Sequence, residues 1–187
     1  MRAAVVSTPA ATPVCADFPE SEAQPGREPL HLVGAGLHHV VRGLAAGGHY
    51  GSDQVYPMVP GVDAVARTED GRLVYTGLSR SPWGTMAERL VTPFEVVLPA
   101  GADPLAVAAG MNPGMSGWMP LIARREEVGA LGTVLVLGAT GMSGGLAVRA
   151  ALALGTQRVV AAGRDPEALE RLRGPRRRDR SARARRA

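Results

Sequence analysis

A glycine-rich segment between two apolar runs carries the clearest chemistry in the sequence. The segment GATGMSG follows the run TVLVL and leads into an amphipathic run. Glycine permits a sharp strand-to-helix turn and lets backbone amides approach a phosphate, while the positive end of the helix faces the anion. The alternative is a glycine-rich turn without a ligand. The pattern GxxGxxG predicts a binding site for a dinucleotide pyrophosphate formed by Gly138, Ala139, Thr140, Gly141, Met142, Ser143 and Gly144.

The residue after the second apolar run decides which nucleotide is favoured. An Asp or Glu about 20 residues beyond the last glycine would bind the ribose hydroxyls of NAD. Here that position is Arg164, preceded by Gly163. No carboxylate repels a 2′-phosphate, and a permanently charged guanidinium can bind one. The sequence therefore favours NADP(H) as the cofactor. The alternative is that Arg164 is a solvated surface residue, and Asp165 is better explained as a helix cap.

The glycine segment needs a βαβ unit to position it, and the sequence supplies one. Strands are predicted from Thr133 to Leu137 and from Arg158 to Ala162, with a helix from Met142 to Leu154 between them. Asp165 and Pro166 open a further helix. The first strand is an uninterrupted apolar run, as in buried parallel sheets. These elements predict the start of a doubly wound dinucleotide-binding domain of the Rossmann type.

Residues 1–102 have a different pattern. Short apolar or alternating runs are separated by Pro, Gly and Asp turns, and Glu69 to Arg72 has the composition of a hairpin turn. This half is predicted to be a small β-rich, barrel-like domain. Asp103 is predicted to cap a helix, and a second helical segment is predicted from Met115 to Arg125. The predicted fold class is therefore α/β, with a β-rich domain in residues 1–102, connecting helices and a first βαβα unit in residues 103–173, and an Arg-rich tail in residues 174–187.

The net charge of +4 arises from one end of the chain. Residues 174–187 contain seven Arg and one Asp, whereas residues 1–173 contain 14 Arg and 16 acidic residues and carry a net charge of −2. A negative body lacks the basic surface that nucleic-acid binding requires. We therefore expect no nucleic-acid partner. The alternative is a nucleic-acid binder that acts through the tail alone.

Cysteine content and hydropathy indicate the compartment. Cys15 is the only cysteine, which rules out an internal disulfide and a multi-cysteine zinc site. The apolar run before Pro9 is too short for a signal peptide, and no stretch approaches the ~18 apolar residues of a membrane-spanning helix. We expect a cytoplasmic protein that does not insert into a membrane.

Further motifs occur in a recognisable order along residues 1–173. They are GAGLHHVVRGLAAGGHYG, GVDAV, AAGMNPGMSGW, VLVLGATGMSGGLAVRAALALG and RVVAAGRDPEALERL. This order resembles the zinc-independent, quinone-oxidoreductase-like branch of the medium-chain dehydrogenase/reductase superfamily. The resemblance implies a GroES-like domain followed by a Rossmann domain, NADPH-dependent reduction of a small-molecule quinone, enone or carbonyl by hydride transfer, and homo-oligomers among full-length relatives. The alternative is a non-enzymatic NADP-binding sensor or regulator.

The zinc-binding members of that superfamily differ from this chain at their ligands. They place a cysteine where this chain has His38, and a His-Glu pair where it has Val62 and Asp63. Their four-cysteine loop is absent. The histidines fit no usual tetrahedral site either, because two of them are expected to point apart on a strand. We therefore expect no bound metal. The histidines considered are His31, His38, His39 and His49.

The resemblance also suggests candidate catalytic residues. Tyr50 falls where zinc-free relatives place a tyrosine in the substrate cleft, and His38 falls where they place an Asn. Val41 stands where they carry an Asp, so the proton relay is left open. Packing for Tyr50 and a satisfied structural histidine for His38 are the alternatives. Asn112, before Pro113, is a candidate to lie near the nicotinamide, and turn chemistry explains it equally well.

The end of the chain departs from the family pattern. After Leu172 the family continues with a short turn and a third strand, whereas this sequence continues with RGPRRRDRSARARRA. A dinucleotide site is built from two βαβαβ halves, and the nicotinamide half is missing here. We expect residues 174–187 to be a non-native tail, as a shifted reading frame would produce, and the chain to be truncated and inactive. A genuine basic tail is the alternative.

Overall fold

The computed structural model describes residues 1–172 of the chain. These residues divide after Asn112 into two compact units, which we call the β unit, residues 1–112, and the nucleotide unit, which begins at Pro113. The boundary lies ten residues beyond the predicted domain limit at 102. The predicted domain assignment stays a prediction. Residues 174–187, for which a non-native tail was expected, lie outside the described residues.

Seven short strands and one short helix precede residue 100 in the β unit. The helix α1 spans His39–Ala45. A two-stranded antiparallel sheet pairs β1 with β2, and a five-stranded antiparallel sheet has the order β6-β3-β4-β5-β7. A single bridge between Ala3 and Ala87 links β1 to the segment before β6. The strands are β1 (Arg2–Val5), β2 (Val14–Asp17), β3 (Leu30–Ala35), β4 (Asp63–Arg67), β5 (Leu73–Gly77), β6 (Arg89–Leu90) and β7 (Glu95–Val97).

The hairpin predicted at residues 69–72 is confirmed. It connects β4 and β5, which pair in antiparallel register from Asp63 opposite Gly77 to Arg67 opposite Leu73. Gly71 has φ +89°, a left-handed conformation that favours glycine. The Thr68 backbone N–H donates a hydrogen bond to the Arg72 carbonyl at 3.0 Å and closes the turn.

The segment LHLVGAGLHHVV is only half strand. Its first part forms β3, but the chain leaves the sheet after Ala35 and begins α1 at His39. The expectation that two histidines point apart on a strand is therefore wrong for His38 and His39. Val41 explains the change, since it is 4% exposed and the helical turn buries its side chain. Tertiary burial overrides the strand preference of β-branched residues here.

A single long helix replaces the two helical segments predicted after residue 102. Helix α2 spans Pro104–Val128, and Asp103 caps it, with Oδ1 accepting a hydrogen bond from the Leu105 N–H at 2.9 Å. The prediction of two separate helical segments is wrong, because α2 runs through both. A proline inside a helix costs about 3 kcal/mol, so packing must stabilise the continuous helix. Gly117 provides close packing, because a Cβ there would lie 2.5 Å from the Ala147 Cβ.

The predicted βαβ unit is present in the nucleotide unit. Strand β8 (Thr133–Leu137) leads through helix α3 (Met142–Ala153) to strand β9 (Arg158–Ala162), and helix α4 spans Pro166–Leu172. The two strands are parallel and in register. One face packs on the helices through a small apolar core. That core contains Val136, Ala139, Ala147 and Val148, with Val134, Val159, Ala161, Leu169 and Leu172 packed against it.

Burial of β8 differs from the prediction of a strand covered on both faces. Val136 is buried, but Leu135 and Leu137 are 58% and 75% exposed within the part of the chain that the structure describes. Alternate side chains of a strand point to opposite faces, so these leucines share the face that lacks helices. Parallel strands normally have both faces covered. None of the helices in residues 1–172 is long and apolar enough to cross a membrane.

The core of the β unit makes its stability depend on a few large side chains. Leu30 is 1% exposed and belongs to the cluster on which both sheets pack, whereas Leu37 is 86% exposed. We expect Leu30→Ala to lower the free energy of unfolding by about 2–5 kcal/mol and Leu37→Ala by less than about 0.5 kcal/mol. Urea denaturation of the full chain measures both. Equal effects of the two substitutions would contradict this description of the core.

Candidate functional site

The glycine segment forms a tight turn between β8 and α3. Gly138 has φ +72°, which favours glycine, and its carbonyl accepts a hydrogen bond from the Gly141 N–H at 3.0 Å. A Cβ on Gly144 would lie 2.2 Å from the Gly138 carbonyl oxygen. Any side chain at this position would therefore force the helix away from the turn. Gly138 and Gly144, two of the three glycines of the GxxGxxG pattern, are therefore required by the fold of the segment itself.

Gly141 is different, because neither its backbone nor the surrounding packing requires glycine. Its φ of −83° and ψ of 167° are open to any residue, and a Cβ would meet only the Gly138 carbonyl oxygen, at 3.5 Å. Gly141 is the N-cap of α3 and makes no side-chain cap hydrogen bond. The first backbone N–H groups of a helix have no partner within the helix. The absence of a side chain keeps these donors open to an anion.

The electrostatic surroundings of this helix start also suit an anion. The first turn of α3 carries no acidic residue. The Ala139 N–H donates to the Ala162 carbonyl at 3.0 Å, which ties the turn to the end of β9. Unpaired N–H groups and the helix dipole together favour a phosphate here. The residues present therefore fit a dinucleotide pyrophosphate, and Met142, Ser143 and Gly144 supply N–H groups in the first turn.

A second close approach joins the glycine turn to the end of β9. A Cβ on Gly163 would lie 2.6 Å from Cγ2 and 3.0 Å from Oγ1 of Thr140. Gly163 therefore leaves the space that the Thr140 side chain fills. Sequence reasoning considered Gly163 only as the residue that precedes Arg164. The contact with Thr140 was missed because the two residues are far apart along the chain.

Arg164 and Asp165 follow at the end of β9. Arg164 is exposed and makes no ion pair with a described residue. Asp165 Oδ1 accepts a hydrogen bond from the Ala168 N–H at 3.0 Å and caps α4, as predicted. The guanidinium is thus available to a ligand, whereas the neighbouring carboxylate is engaged by the helix. The cofactor role of Arg164 stays a prediction.

Asn112 lies inside α2 and is partly buried. The alternative explanation of Asn112 as a turn residue is therefore wrong, because the chain is helical on both sides of it. Its predicted position near the nicotinamide stays a prediction. Tyr50 is 99% exposed, and its ring stacks only on His49, with 4.2 Å between ring centroids. Burial in a core does not explain Tyr50.

His38 and Asp63 come together in the β unit, although 25 positions separate them. His38 immediately precedes α1, and Asp63 is the first residue of β4. His38 Nε2 lies 2.9 Å from Asp63 Oδ1, with both side chains largely buried. The imidazole N–H is not directed at the oxygen, so both atoms are buried without a hydrogen-bond partner in residues 1–172. The catalytic role of His38 and its structural alternative both stay predictions.

Tyr75 holds the other oxygen of the Asp63 carboxylate. Its hydroxyl donates a hydrogen bond to Asp63 Oδ2 at 2.8 Å, and both residues are buried. Burial raises the pKa of Tyr75 well above its usual range, and the hydrogen bond to Asp63 acts in the same direction. Tyr75 therefore stays a neutral donor. The sequence analysis missed Tyr75 as a site residue, because its pattern is that of an ordinary strand residue.

No group of three or more His, Cys, Asp or Glu side chains with metal-binding geometry occurs in residues 1–172. Zinc sites in proteins use three or four such ligands. His31 contacts only Glu69, at 3.0 Å, and both are exposed. The His38–Asp63 pair thus offers two donors, fewer than a zinc site needs.

Comparison with known proteins finds similarity to quinone oxidoreductases. The chain is 29% identical over 207 residues to the probable NADPH-dependent quinone reductase tdiC of Emericella nidulans, covering 93% of this chain and 58% of that protein. It is 30% identical to the quinone oxidoreductase of Thermus thermophilus, whose complex with NADPH has also been solved; the TM-score is 0.75, and 90% of this chain and 55% of that chain are covered. No family model matches the chain.

More distant structures share the fold. A quinone oxidoreductase of Pseudomonas syringae has a TM-score of 0.76 at 21% identity, covering 92% of this chain and 55% of that chain. An alcohol dehydrogenase superfamily protein of Novosphingobium aromaticivorans has a TM-score of 0.74 at 22% identity, covering 92% and 56%. The fold class predicted from the sequence is confirmed. The relatives are quinone oxidoreductases, so the predicted resemblance to that branch is also confirmed, and the chain spans little more than half of their length.

The Tyr75–Asp63 hydrogen bond should appear in the pH dependence of stability. The folded protein keeps the Tyr75 proton where the unfolded chain releases it, so this contribution is complete below the unfolded pKa of about 10 and is lost as the pH rises above it. Tyr75→Phe should make the alkaline loss of stability shallower by up to about 1.4 kcal/mol per pH unit. Urea denaturation between about pH 8 and 11 measures the slope.

Tyr50→Phe is the matched control, because its ring is exposed. It should leave the slope unchanged. If wild type and Tyr75→Phe lose stability equally steeply above pH 10, the buried hydrogen bond does not hold the proton as described.

Proposed function

We propose that the protein is an NADPH-dependent oxidoreductase that reduces a quinone, enone or carbonyl compound by hydride transfer. The observation that carries the proposal is Gly141. Neither backbone conformation nor packing within the described residues requires glycine there, but close approach of a phosphate to the N-terminus of α3 does. The relatives support the rest, since the fungal protein is named as an NADPH-dependent quinone reductase and the Thermus enzyme was solved with NADPH.

The cofactor would be held by residues of the nucleotide unit. The backbone N–H groups at the start of α3 would bind the pyrophosphate, and Arg164 would bind the 2′-phosphate. Gly163 keeps the Thr140 side chain packed beneath this region. When bound, NADPH supplies the hydride. Asn112 is proposed to lie near the nicotinamide.

The β unit would supply the proton and part of the substrate surface. Reduction of a carbonyl or quinone oxygen requires a proton as well as a hydride. His38 is the proposed donor, because it is paired with a buried carboxylate and is partly accessible. Tyr50 is proposed as a cleft residue, since its exposed hydroxyl and ring are free for contact. These proposed roles do not require that the 187-residue chain itself is active. The expectation that this chain is inactive stays a prediction.

Arg164 should discriminate between the two nicotinamide cofactors. Arg164→Ala should weaken NADPH binding by about 1–3 kcal/mol, the range for a hydrogen bond to a charged group, and leave NADH binding nearly unchanged. Calorimetric titration of the purified chain with each cofactor measures this. Arg158→Ala is the matched control, because Arg158 is an exposed arginine at the opposite end of the same strand. Equal losses for NADPH and NADH in Arg164→Ala would remove the basis for NADPH preference.

Gly141→Ala tests the phosphate site without disturbing the fold. The added methyl group has room within the chain, so the unfolding temperature should not change. Binding of both NADPH and NADH should weaken roughly tenfold to a hundredfold, as expected when one or two charge-assisted hydrogen bonds are lost. Gly132→Ala, which also meets nothing within 4 Å, is the control.

Two outcomes of the Gly141 experiment have different meanings. Unchanged cofactor affinity in Gly141→Ala would argue against phosphate binding at α3. Normal binding in wild type, together with no turnover of NADPH by any quinone or enone in a protein that carries both halves of the dinucleotide domain, would favour the non-enzymatic sensor instead.

A further inference from the structure

We infer that Asp63 is a positioning residue that orients His38 through a shared proton and fixes which imidazole nitrogen is free to donate. The inference rests on the proposed function, in which His38 supplies the proton for reduction. The family resemblance assigned no role to Asp63 beyond the absence of a zinc ligand pair. The geometry of four residues from separate segments carries it.

The Asp63 carboxylate has one acceptor position left for His38. Tyr75 donates to Oδ2 at 2.8 Å. The Asp63 backbone carbonyl is also held, by the Thr85 hydroxyl at 3.0 Å and by the Gly36 N–H at 3.1 Å. Backbone and carboxylate are therefore fixed from three sides. Oδ1 is the only polar atom of this side chain without a hydrogen bond in residues 1–172, and it lies 2.9 Å from His38 Nε2.

Two buried polar atoms this close should be hydrogen-bonded to each other. Leaving a buried donor or acceptor unsatisfied costs about 1–3 kcal/mol, and more for a charged group. A small rotation of the imidazole ring directs the Nε2 proton at Oδ1 and satisfies both atoms at once. Asp63 is the only ionised group of the described residues within ion-pair distance of His38; His39 and Arg42 lie on the same helix but make no ion pair with it.

The pair leaves the second nitrogen of the ring free for chemistry. His38 is the N-cap residue of α1, but its side chain makes no cap hydrogen bond, so Nδ1 is not used by the helix. With Nε2–H directed at Asp63, Nδ1 would be the nitrogen that donates a proton to the substrate. NADPH, when bound, would supply the hydride to the substrate carbon and be oxidised to NADP⁺. His38 would supply the proton, the Nδ1–H bond breaking as an O–H bond forms on the substrate oxygen. The product ring is neutral and is reprotonated by water.

Gly36 makes this arrangement possible and provides a sharp test. A Cβ at Gly36 would lie 2.1 Å from His38 Nε2 and 2.8 Å from Asp63 Oδ1. The φ angle of Gly36 lies outside the left-handed region, so alanine can adopt the same backbone conformation. Because the clash falls on the far end of a flexible side chain, Gly36→Ala should swing the imidazole away from Asp63 and leave the fold intact. It separates the pair without changing either ionisable group.

The experiment follows the Nε2 proton by NMR in the full chain labelled with ¹⁵N-histidine. The four histidines give few signals, and His38→Gln assigns the one of interest. We expect a downfield imidazole proton that is protected from solvent in wild type and is absent in Gly36→Ala and Asp63→Asn. Gly132→Ala should retain it. His31, which pairs with Glu69 at 3.0 Å but is exposed, should show no protected proton.

Steady-state kinetics with NADPH and a quinone gives the second measurement. The assay uses a form of the protein that carries both halves of the dinucleotide domain and turns over these substrates. Gly36→Ala and Asp63→Asn should lower kcat at least tenfold while the KM for NADPH stays within twofold, because loss of an oriented acid affects the chemical step. A purely structural role of Asp63 would change the free energy of unfolding, but it would not lower kcat while leaving KM unchanged. The Gly132→Ala control should change neither kinetic constant.

The outcomes separate this inference from the proposed function. Absence of the protected proton in wild type, its persistence in Gly36→Ala, or an unchanged kcat when it is lost would overturn the role of Asp63. If the protected proton behaves as expected but no NADPH turnover is found, the pair stands and the proposed function fails. Should Asp63→Asn not fold, Gly36→Ala and Tyr75→Phe still decide, since Tyr75→Phe should speed exchange of the proton with solvent.

Discussion

Burial of the Asp63 carboxylate is the constraint on which the β unit depends. A charge removed from water is tolerated only when surrounding groups replace its hydration. The Tyr75 hydroxyl of β5 donates to one carboxylate oxygen, and His38 Nε2 lies 2.9 Å from the other. The Gly36 N–H and the Thr85 hydroxyl hold the Asp63 backbone carbonyl instead. Apart from Gly36 and His38, these residues are distant in sequence, so Asp63 joins the end of β3 and the start of α1 to β5 and to the loop before β6.

The nucleotide unit depends instead on glycines, whose lack of a side chain allows close backbone packing. Gly144 lets α3 start so close to the turn that a Cβ would lie only 2.2 Å from the Gly138 carbonyl oxygen, and Gly163 leaves similar space for Thr140. Close backbone packing brings the helix N-terminus to the end of the parallel strands. There the helix dipole and unpaired N–H groups can act on an anion. Of the three glycines in the GxxGxxG pattern, Gly141 is the one that neither packing nor backbone conformation demands, and it lies at the helix N-terminus where a phosphate would bind.

The parts that were predicted correctly from the sequence are those specified locally. Strand β8, the glycine turn, α3 and β9 follow from short-range periodicity and turn chemistry, and the cap at Asp165 needs only neighbouring residues. The errors arise where tertiary contacts decide. Two helical segments were predicted after residue 102, whereas α2 is continuous, with Gly117 packed closely on Ala147. Val41 is buried in α1, where the apolar run suggested a strand. The pairing of His38 with Asp63 was invisible because no local pattern joins residues 25 positions apart.

The residues that replace zinc ligands in this chain are chemically suited to a proton rather than a metal. Tetrahedral zinc with ligands at 2.0–2.2 Å keeps its donor atoms about 3.4 Å apart. His38 Nε2 and Asp63 Oδ1 lie 2.9 Å apart, a hydrogen-bond distance that leaves no room for an ion between them as they are placed. Gly36 and Tyr75 hold that spacing from either side. Under the proposed function, His38 would donate a proton to the substrate oxygen, which is the atom that the metal polarises in a zinc enzyme.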